Sequence, residues 1–243
     1  MENITQTLFK SAAAWRKTGA MAICFSACAT AHATLNISAL NTGAGDYGIN
    51  NGAPIIDSNW KVTLIPPPAN GIPPGGIPNG NAYLVPNNIG FPIPPWVPNS
   101  SLSTWITYSY PTQVGGDNTG GTYQYQLQFT ALTTGSVDIS LASDNNSSLF
   151  INGGLVVNIP DPQPFSSFQD VDYSFKSGQN YTVDFDVYNI PQGNGNPTGA
   201  NVQFSGDVNV APVPEASTVF AGAMMLLPFG VSAARIMRKN RMA

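Results

Sequence analysis

The sequence predicts an all-β fold, a jelly-roll-like β-sandwich, carried between an N-terminal signal peptide and a single short C-terminal transmembrane helix. Three observations predict it. Segments rich in Val, Ile, Thr, Phe and Tyr with period-two alternation recur from residue 103 to residue 206. Clusters of Gly, Asn and Pro separate them at short intervals. No stretch between residues 34 and 212 shows helical periodicity, and eight or nine strands in about 110 residues suit two packed sheets.

Residues 1–33 read as the signal peptide. Lys10, Arg16 and Lys17 form a basic n-region, Ala20–Thr30 an apolar h-region, and Ala31-His32-Ala33 a small-x-small cleavage site, with Ala31 and Ala33 as the processing residues. An h-region of about eleven residues is too short to cross ~30 Å of hydrocarbon as a helix. Phe25-Ser26-Ala27-Cys28 approaches a lipobox, so lipoprotein export is an alternative, and a buried N-terminal helix is another. Cleavage after Ala33 removes Cys24, Cys28 and the single histidine, His32.

Residues 34–103 form a Pro/Gly/Asn-rich N-terminal part of the ectodomain. Eleven prolines fall between Trp60 and Ser103. Each fixes φ and removes a donor, which blocks helix and central strand alike. The expectation is a long covering loop with edge strands at Trp60–Ile65 and Ala82–Val85; a polyproline ligand is the other reading.

Residues 104–210 hold the sandwich core. Strands are expected at Thr104–Tyr110, Thr122–Thr130, Ser136–Ala142, Ser148–Ile151, Leu155–Ile159, Asp170–Phe175, Asn180–Tyr188 and Ala200–Ser205. Asn152-Gly153 accepts the positive φ of a type I′ turn, so the segments on either side should form a hairpin.

Residues 211–243 carry a second signal. Val213-Pro214-Glu215-Ala216-Ser217-Thr218 (213–218) precedes an apolar run at 219–234, and Arg235, Arg238, Lys239 and Arg241 fill a basic tail at 235–243. A short apolar helix followed by cations reads as a membrane anchor with its C-terminus inside. Snorkelling by Arg235 extends its reach, and Pro228 is tolerable in a membrane helix. An ordinary single-span anchor would look the same. The order of motif, helix and basic tail resembles the PEP-CTERM sorting domain, in which an exosortase-type membrane protease is thought to cut near the Pro-Glu-Pro motif. This chain has Val213-Pro214-Glu215, with Ala216 where the family usually has proline. The resemblance implies an exported surface or matrix protein of a Gram-negative bacterium that makes exopolysaccharide.

The middle of the chain also resembles a recurring ectodomain of that family. The matching residues are Asp57-Ser58-Asn59-Trp60, Phe91-Pro92 to Trp96, Ser103-Thr104-Trp105-Ile106, Gly121-Thr122-Tyr123-Gln124-Tyr125 and Ala142-Ser143-Asp144-Asn145. They continue through Ile151-Asn152-Gly153, Asp184 to Asn189, Asn196-Pro197-Thr198-Gly199 and Phe204-Ser205-Gly206. The basic residue usual near Thr104 and the Arg usual after Tyr125 are missing. This resemblance implies a fold and a location, with no reaction attached.

Composition narrows the chemistry. Charged residues make up 9% of the chain, against about 25% in ordinary domains. From Thr34 to Pro212 there is no Cys, His, Arg or Glu, and Lys61 and Lys176 stand against eleven aspartates, a balance of −9. That segment lacks the usual zinc ligands and the parts of a Ser-His-Asp or Cys-His nucleophile. It also lacks the cations that neutralise phosphates, so no nucleic acid partner is expected. No nucleotide-binding glycine motif occurs. Hard-cation binding, sugar binding or a structural role remain.

Asp184 and Asp186 flank Phe185 in a strand, so both carboxylates should share a face about 6.5–7 Å apart. A glycosidase needs two carboxyls roughly 5–9.5 Å apart flanking a bond. A solvated face, or a cross-strand partner for Lys176, explains the same pair. Asp144, Asn146, Asp170 and Asp172 are candidate calcium ligands, since Ca²⁺ prefers clustered carboxylate and amide oxygens; Asx residues also form turns on their own account. Trp60, Trp96, Trp105, Tyr108 and Tyr110 offer flat faces for sugar rings, unless they are core. Trp105 should point opposite to Ile106 and Tyr108. Candidate ligand-binding residues are thus Asp144, Asn145, Asn189, Trp96 and Trp105, the first three on loops where binding groups gather.

The sequence therefore reads as an exported, exosortase-sorted protein of the cell surface or extracellular matrix, passing through an inner-membrane intermediate. It is read as non-catalytic, with extracellular polysaccharide as candidate partner and no cofactor beyond a structural calcium. A purely structural or adhesive matrix module is the alternative, and an Asp-based glycoside hydrolase the second alternative.

Overall fold

Alternating side chains build both layers of the fold. In the computed structural model, residues 34–44, 54–65, 80–85, 94–108, 120–160, 164–190 and 197–212 are described. The signal peptide with Ala31 and Ala33, the motif residues Val213, Pro214 and Glu215, the helix at 219–234 and the basic tail lie outside them. Among the described residues no α-helix occurs, and no helix is long and apolar enough to cross a membrane.

Two antiparallel sheets pack face to face as a β-sandwich. The larger joins β1 (Leu35–Asn36), β12 (Asn209–Pro212), β5 (Gly121–Ala131), β10 (Asn180–Asn189), β7 (Asn146–Ile151) and β8 (Gly154–Ile159) in that order. β2 (Lys61–Ile65) pairs with β5 over Thr122–Gln126, on the edge that β12 uses farther along at Phe129–Ala131. The smaller sheet runs β3 (Tyr83–Leu84), β4 (Ile106–Thr107), β11 (Gly199–Gly206), β6 (Gly135–Asp144) and β9 (Gln169–Phe175).

Period two decides what is buried. Tyr123, Tyr125, Leu127 and Phe129 of β5 point inward, while Gln124, Gln126 and Gln128 point out. Val137, Ile139 and Leu141 of β6 and Val202 and Phe204 of β11 meet them from the other sheet. Each such apolar side chain contributes about 1.5–3 kcal/mol on burial. Phe129 packs edge-on to Phe175 with ring centroids 5.3 Å apart, and Tyr108 stacks on Tyr123 at 4.5 Å. Burial pushes the Tyr125 phenol far above its ordinary range, against a smaller opposite effect of the Thr107 hydroxyl.

The expected strands form, β4 only as Ile106–Thr107 among the described residues. The expected hairpin turn forms too, with φ of 50° at Asn152 and 76° at Gly153. Two strands were not foreseen: β1 and β12, which pair with each other at Leu35↔Val210 and Asn36↔Asn209.

The segment after β1 closes the edge of the smaller sheet. β11 bonds to β6 along its whole length but to β4 only at Ala200. Its open side is covered by a 3₁₀ turn, Ile37–Leu40, and the residues that follow. Thr42 N–H donates to Val202 O at 3.0 Å, Val202 N–H to Thr42 Oγ1 at 3.1 Å, and Phe204 N–H to Asn41 Oδ1. Side-chain oxygens thus replace a partner strand, which satisfies the ladder and blunts the edge.

The Asp57-Ser58-Asn59-Trp60 stretch pins that segment in place. Asp57 Oδ1 accepts from Asn59 N–H at 2.8 Å and Trp60 N–H at 2.9 Å, and Oδ2 accepts from Gly43 N–H at 2.6 Å. Asn59 and Trp60 then donate to the carbonyls of Ala39 and Leu40. Gly43 has φ of +65°, and a Cβ there would stand 2.7 Å from Thr104 Cβ, so only glycine fits.

Candidate functional site

The two tryptophans expected at a sugar site are core residues. Trp105 is fully buried and Trp96 is 5% exposed. Their rings lie 4.3 Å apart and, with Val85 and Ala142, form a second apolar cluster against the outward side of the smaller sheet. Residues from Pro94 to Thr104 cover that side. Asn99 holds them by accepting from Trp105 N–H at 2.8 Å and donating to Val85 O at 2.6 Å. Trp105 does point opposite to Ile106 and Tyr108, as alternation requires, but into this cluster. Trp60 is buried as well, stacked on Phe204, and Tyr110 lies outside the described residues.

Asp144, Asn145 and Asn189 do come together, at one end of the sandwich. All three are buried. Asp144 Oδ2 accepts from Trp96 Nε1 at 3.1 Å, and its backbone carbonyl accepts from Thr198 Oγ1 at 2.7 Å. Asn145 Oδ1 accepts from Ile190 N–H at 3.0 Å, while Ser143 Oγ lies 2.7 Å from both Asn145 O and Ser147 Oγ. This network ties β6, β7 and the end of β10 together where the chain crosses between sheets.

The proposed calcium set is split by the register. Asp170 lies opposite Ser140 and Asp172 opposite Asp138, four and six residues back along β6 from Asp144. At strand rise that is about 13 and 20 Å, whereas oxygens ~2.3–2.6 Å from one Ca²⁺ stand at most about 5 Å from each other. Asn146 opens β7 in the other sheet, opposite Tyr188. Among the described residues, no group of three Cys, His, Asp or Glu could hold a metal ion. Asp138, Asp170 and Asp172 instead share an exposed patch on the smaller sheet. Local desolvation, then the neighbouring Asp170 and Asp172 carboxylates, push the Asp138 carboxyl up.

Asp184 and Asp186 sit as expected, together on the outward face of β10. Their cross-strand partners are glutamines of β5, not Lys176: Gln126 Nε2 donates to Asp184 Oδ1 at 2.8 Å and Gln124 Nε2 to Asp186 Oδ1 at 3.0 Å. Burial pushes the Asp186 carboxyl above the usual aspartate range, Asp184 adds to this, and the Gln124 bond opposes it. Across β10 on the other side, Asp184 faces Phe150, Asp186 faces Ser148, and Tyr188 faces Asn146. Tyr188 is 42% exposed. On this side of the sheet, then, a polar strip lies between two aromatic rings. Sequence reasoning found the aspartates and missed the rings, although the same alternation that aims Asp184 and Asp186 outward also aims Tyr188.

No protein-family model and no curated protein matches this chain. Among solved structures, it is similar to a β-glucosidase from Kluyveromyces marxianus at 15% identity and TM-score 0.31, over 37% of this chain and 12% of that one. It is also similar to a family 35 carbohydrate-binding module from Clostridium thermocellum at 12% identity and TM-score 0.29, over 67% of this chain and 100% of that one. A family 35 module from Cellvibrio japonicus aligns at 18% identity and TM-score 0.29, over 54% and 87%. The chain thus spans about an eighth of the β-glucosidase it matches. At scores this low the likeness is partial and carries nothing about ligand or activity to this chain.

Proposed function

We propose that this chain is an exported, non-catalytic protein of the bacterial surface or extracellular matrix whose jelly-roll-like sandwich binds polysaccharide. The observation that carries the binding reading is the outward side of the larger sheet, where carboxylates, amides and hydroxyls stand in register beside exposed aromatic and aliphatic side chains. Such a surface offers hydrogen bonds to hydroxyls and flat apolar contact to ring faces.

Export and sorting rest on the two terminal signals, with an exosortase-type protease as the membrane partner. Every described strand lies between Leu35 and Pro212, so neither cut would fall within one of them.

Catalysis by Asp184 and Asp186 is disfavoured by their placement. Neighbours on one strand lie side by side on a flat face, whereas glycosidase carboxyls stand on opposite sides of the bond they break.

Polysaccharide pull-down with the protein from its secreting host, followed by mass spectrometry of both ends, tests the proposal. Retention on a polysaccharide, an N-terminus at Thr34 and loss of residues 219–243 are expected. Retention on none would leave a structural module, and intact ends would remove the sorting step. Sugar release that disappears in Asp184→Asn would overturn the non-catalytic reading.

A further inference from the structure

On the larger sheet's outward side the strand register fixes rows of side chains. Tyr188 stands between Thr122 and Asn146, Asp186 between Gln124 and Ser148, and Asp184 between Gln126 and Phe150. Successive rows are about 6.6–6.8 Å apart and neighbouring strands about 4.8 Å. Tyr188 and the half-buried Phe150 therefore lie about 14 Å apart by that geometry, with Asp186 in the row between them and Asp184 beside Phe150. That length lets an oligosaccharide lie along β10 with ring faces on the two aromatics.

At the two aspartates the strip offers acceptors, with the Lys61 cation two strands from Asp184 in the same row. Each carboxylate commits Oδ1 to a glutamine amide, and neither Oδ2 has a protein partner among the described residues. The strip thus presents charged acceptors, and a hydroxyl is the donor that matches them. An acidic sugar would set its own carboxylate against Asp184 and Asp186, in a segment from Thr34 to Pro212 that already carries −9. Like charges brought together on burial cost several kcal/mol, so complementarity selects against uronates.

We propose that the Asp184–Asp186 strip between Tyr188 and Phe150 is the glycan-binding platform, and that its occupant is a neutral, hydroxyl-rich polysaccharide rather than an acidic one. This rests on the polysaccharide-binding reading and adds its site and its ligand class. The buried Asp144 network and the buried tryptophans take no part.

The test is affinity electrophoresis and titration of the full chain, in a detergent without a sugar headgroup. The probes are dextran, mannan, galactan and a mixed-linkage β-glucan, with alginate and polygalacturonate as acidic counterparts. At least one neutral polymer should bind more tightly than either acidic one. Tyr188→Ala should weaken that binding by about tenfold or more, as loss of a central aromatic contact does, while Tyr188→Phe keeps it. Asp184→Asn and Asp186→Asn should each weaken it severalfold, and Asp138→Asn, on the opposite sheet, should leave it unchanged. Ser148→Arg covers the strip without touching the core and should also weaken binding, which guards against misfolding of any single variant. Neutral-polymer binding that survives Tyr188→Ala, Ser148→Arg and the Asp184→Asn/Asp186→Asn pair would overturn this platform and leave the binding reading standing. Tighter binding of alginate or polygalacturonate would overturn the ligand class. Binding to no polymer would overturn both the platform and the reading beneath it.

Discussion

The side-chain carbonyl of Asn41 accepts the backbone N–H of Phe204 at 2.6 Å, joining residues 163 apart in sequence. Together with the reciprocal Thr42–Val202 bonds, this lets six residues after β1 serve as the missing neighbour of β11. Removing the carbonyl leaves a buried N–H without an acceptor, at about 1–3 kcal/mol. Asn41→Ala should therefore lower unfolding free energy by that amount in a urea titration. An unchanged midpoint would show that the edge does not depend on this contact.

Asp57 is the second stability hot spot. Its carboxylate accepts three backbone N–H groups in the buried crossing between β1 and β2. Asp57→Ala removes all three acceptors and should cost about 3 kcal/mol or more. Asp57→Asn can keep an oxygen toward Asn59 and Trp60 but turns an amide toward Gly43. Its loss should fall between those of wild type and Asp57→Ala on the same denaturation series.

The Asp186 carboxyl has a pKa raised above the ordinary 3.8, chiefly by burial, so the fold holds its proton more tightly than the unfolded chain does. Its contribution to stability is fully present below 3.8 and is lost as pH rises from there through the raised value. Asp186→Asn should raise the melting temperature at neutral pH and flatten the pH dependence of stability on the acid side. A melting curve less stable than wild type at neutral pH would show that the ionised carboxylate is a net gain instead. A stabilising change here that also weakens glycan binding is the trade expected where a binding group is held against the fold's own preference.

Asp138 and Asp172 face each other directly across β6 and β9. Asp172→Lys turns repulsion into attraction between exposed neighbours. A gain of about 0.2–1 kcal/mol is expected, shrinking as salt is added. Thermal melts at low and high ionic strength measure it, and a salt-independent gain would point to packing instead of charge.

Much of this fold was legible because alternation is local. Thr122 to Thr130 and Asn180 to Tyr188 announce which side chains turn outward, and Asn152-Gly153 announces its turn. β1 and β12 were not legible, since two residues and four residues ending in Pro212 are too short to alternate. The calcium set failed for a different reason. Whether Asp170 stands beside Asp144 or beside Ser140 is a matter of register, fixed by distant packing and absent from any one segment. Trp96 and Trp105 misled because a Pro-rich stretch can cover a sheet's outer side and make its aromatics core. The platform on β10 was half legible, as its aspartates and Tyr188 follow one rule while Phe150 joins them only through pairing with β7.

The pairing of β1 with β12, and of β12 with β5, has a mechanical meaning. Pro212 registers with Phe129, while Gln124 and Gln126 of the same β5 strand support the outward strip. A pull on a glycan held there reaches the C-terminal end of the domain through one sheet, by way of β10, β5 and β12. The load never has to cross the apolar layer between sheets. Because β12 runs antiparallel to β5, tension applied at Pro212 along the strand axis strains the ladder bonds of that strand together instead of opening them one by one.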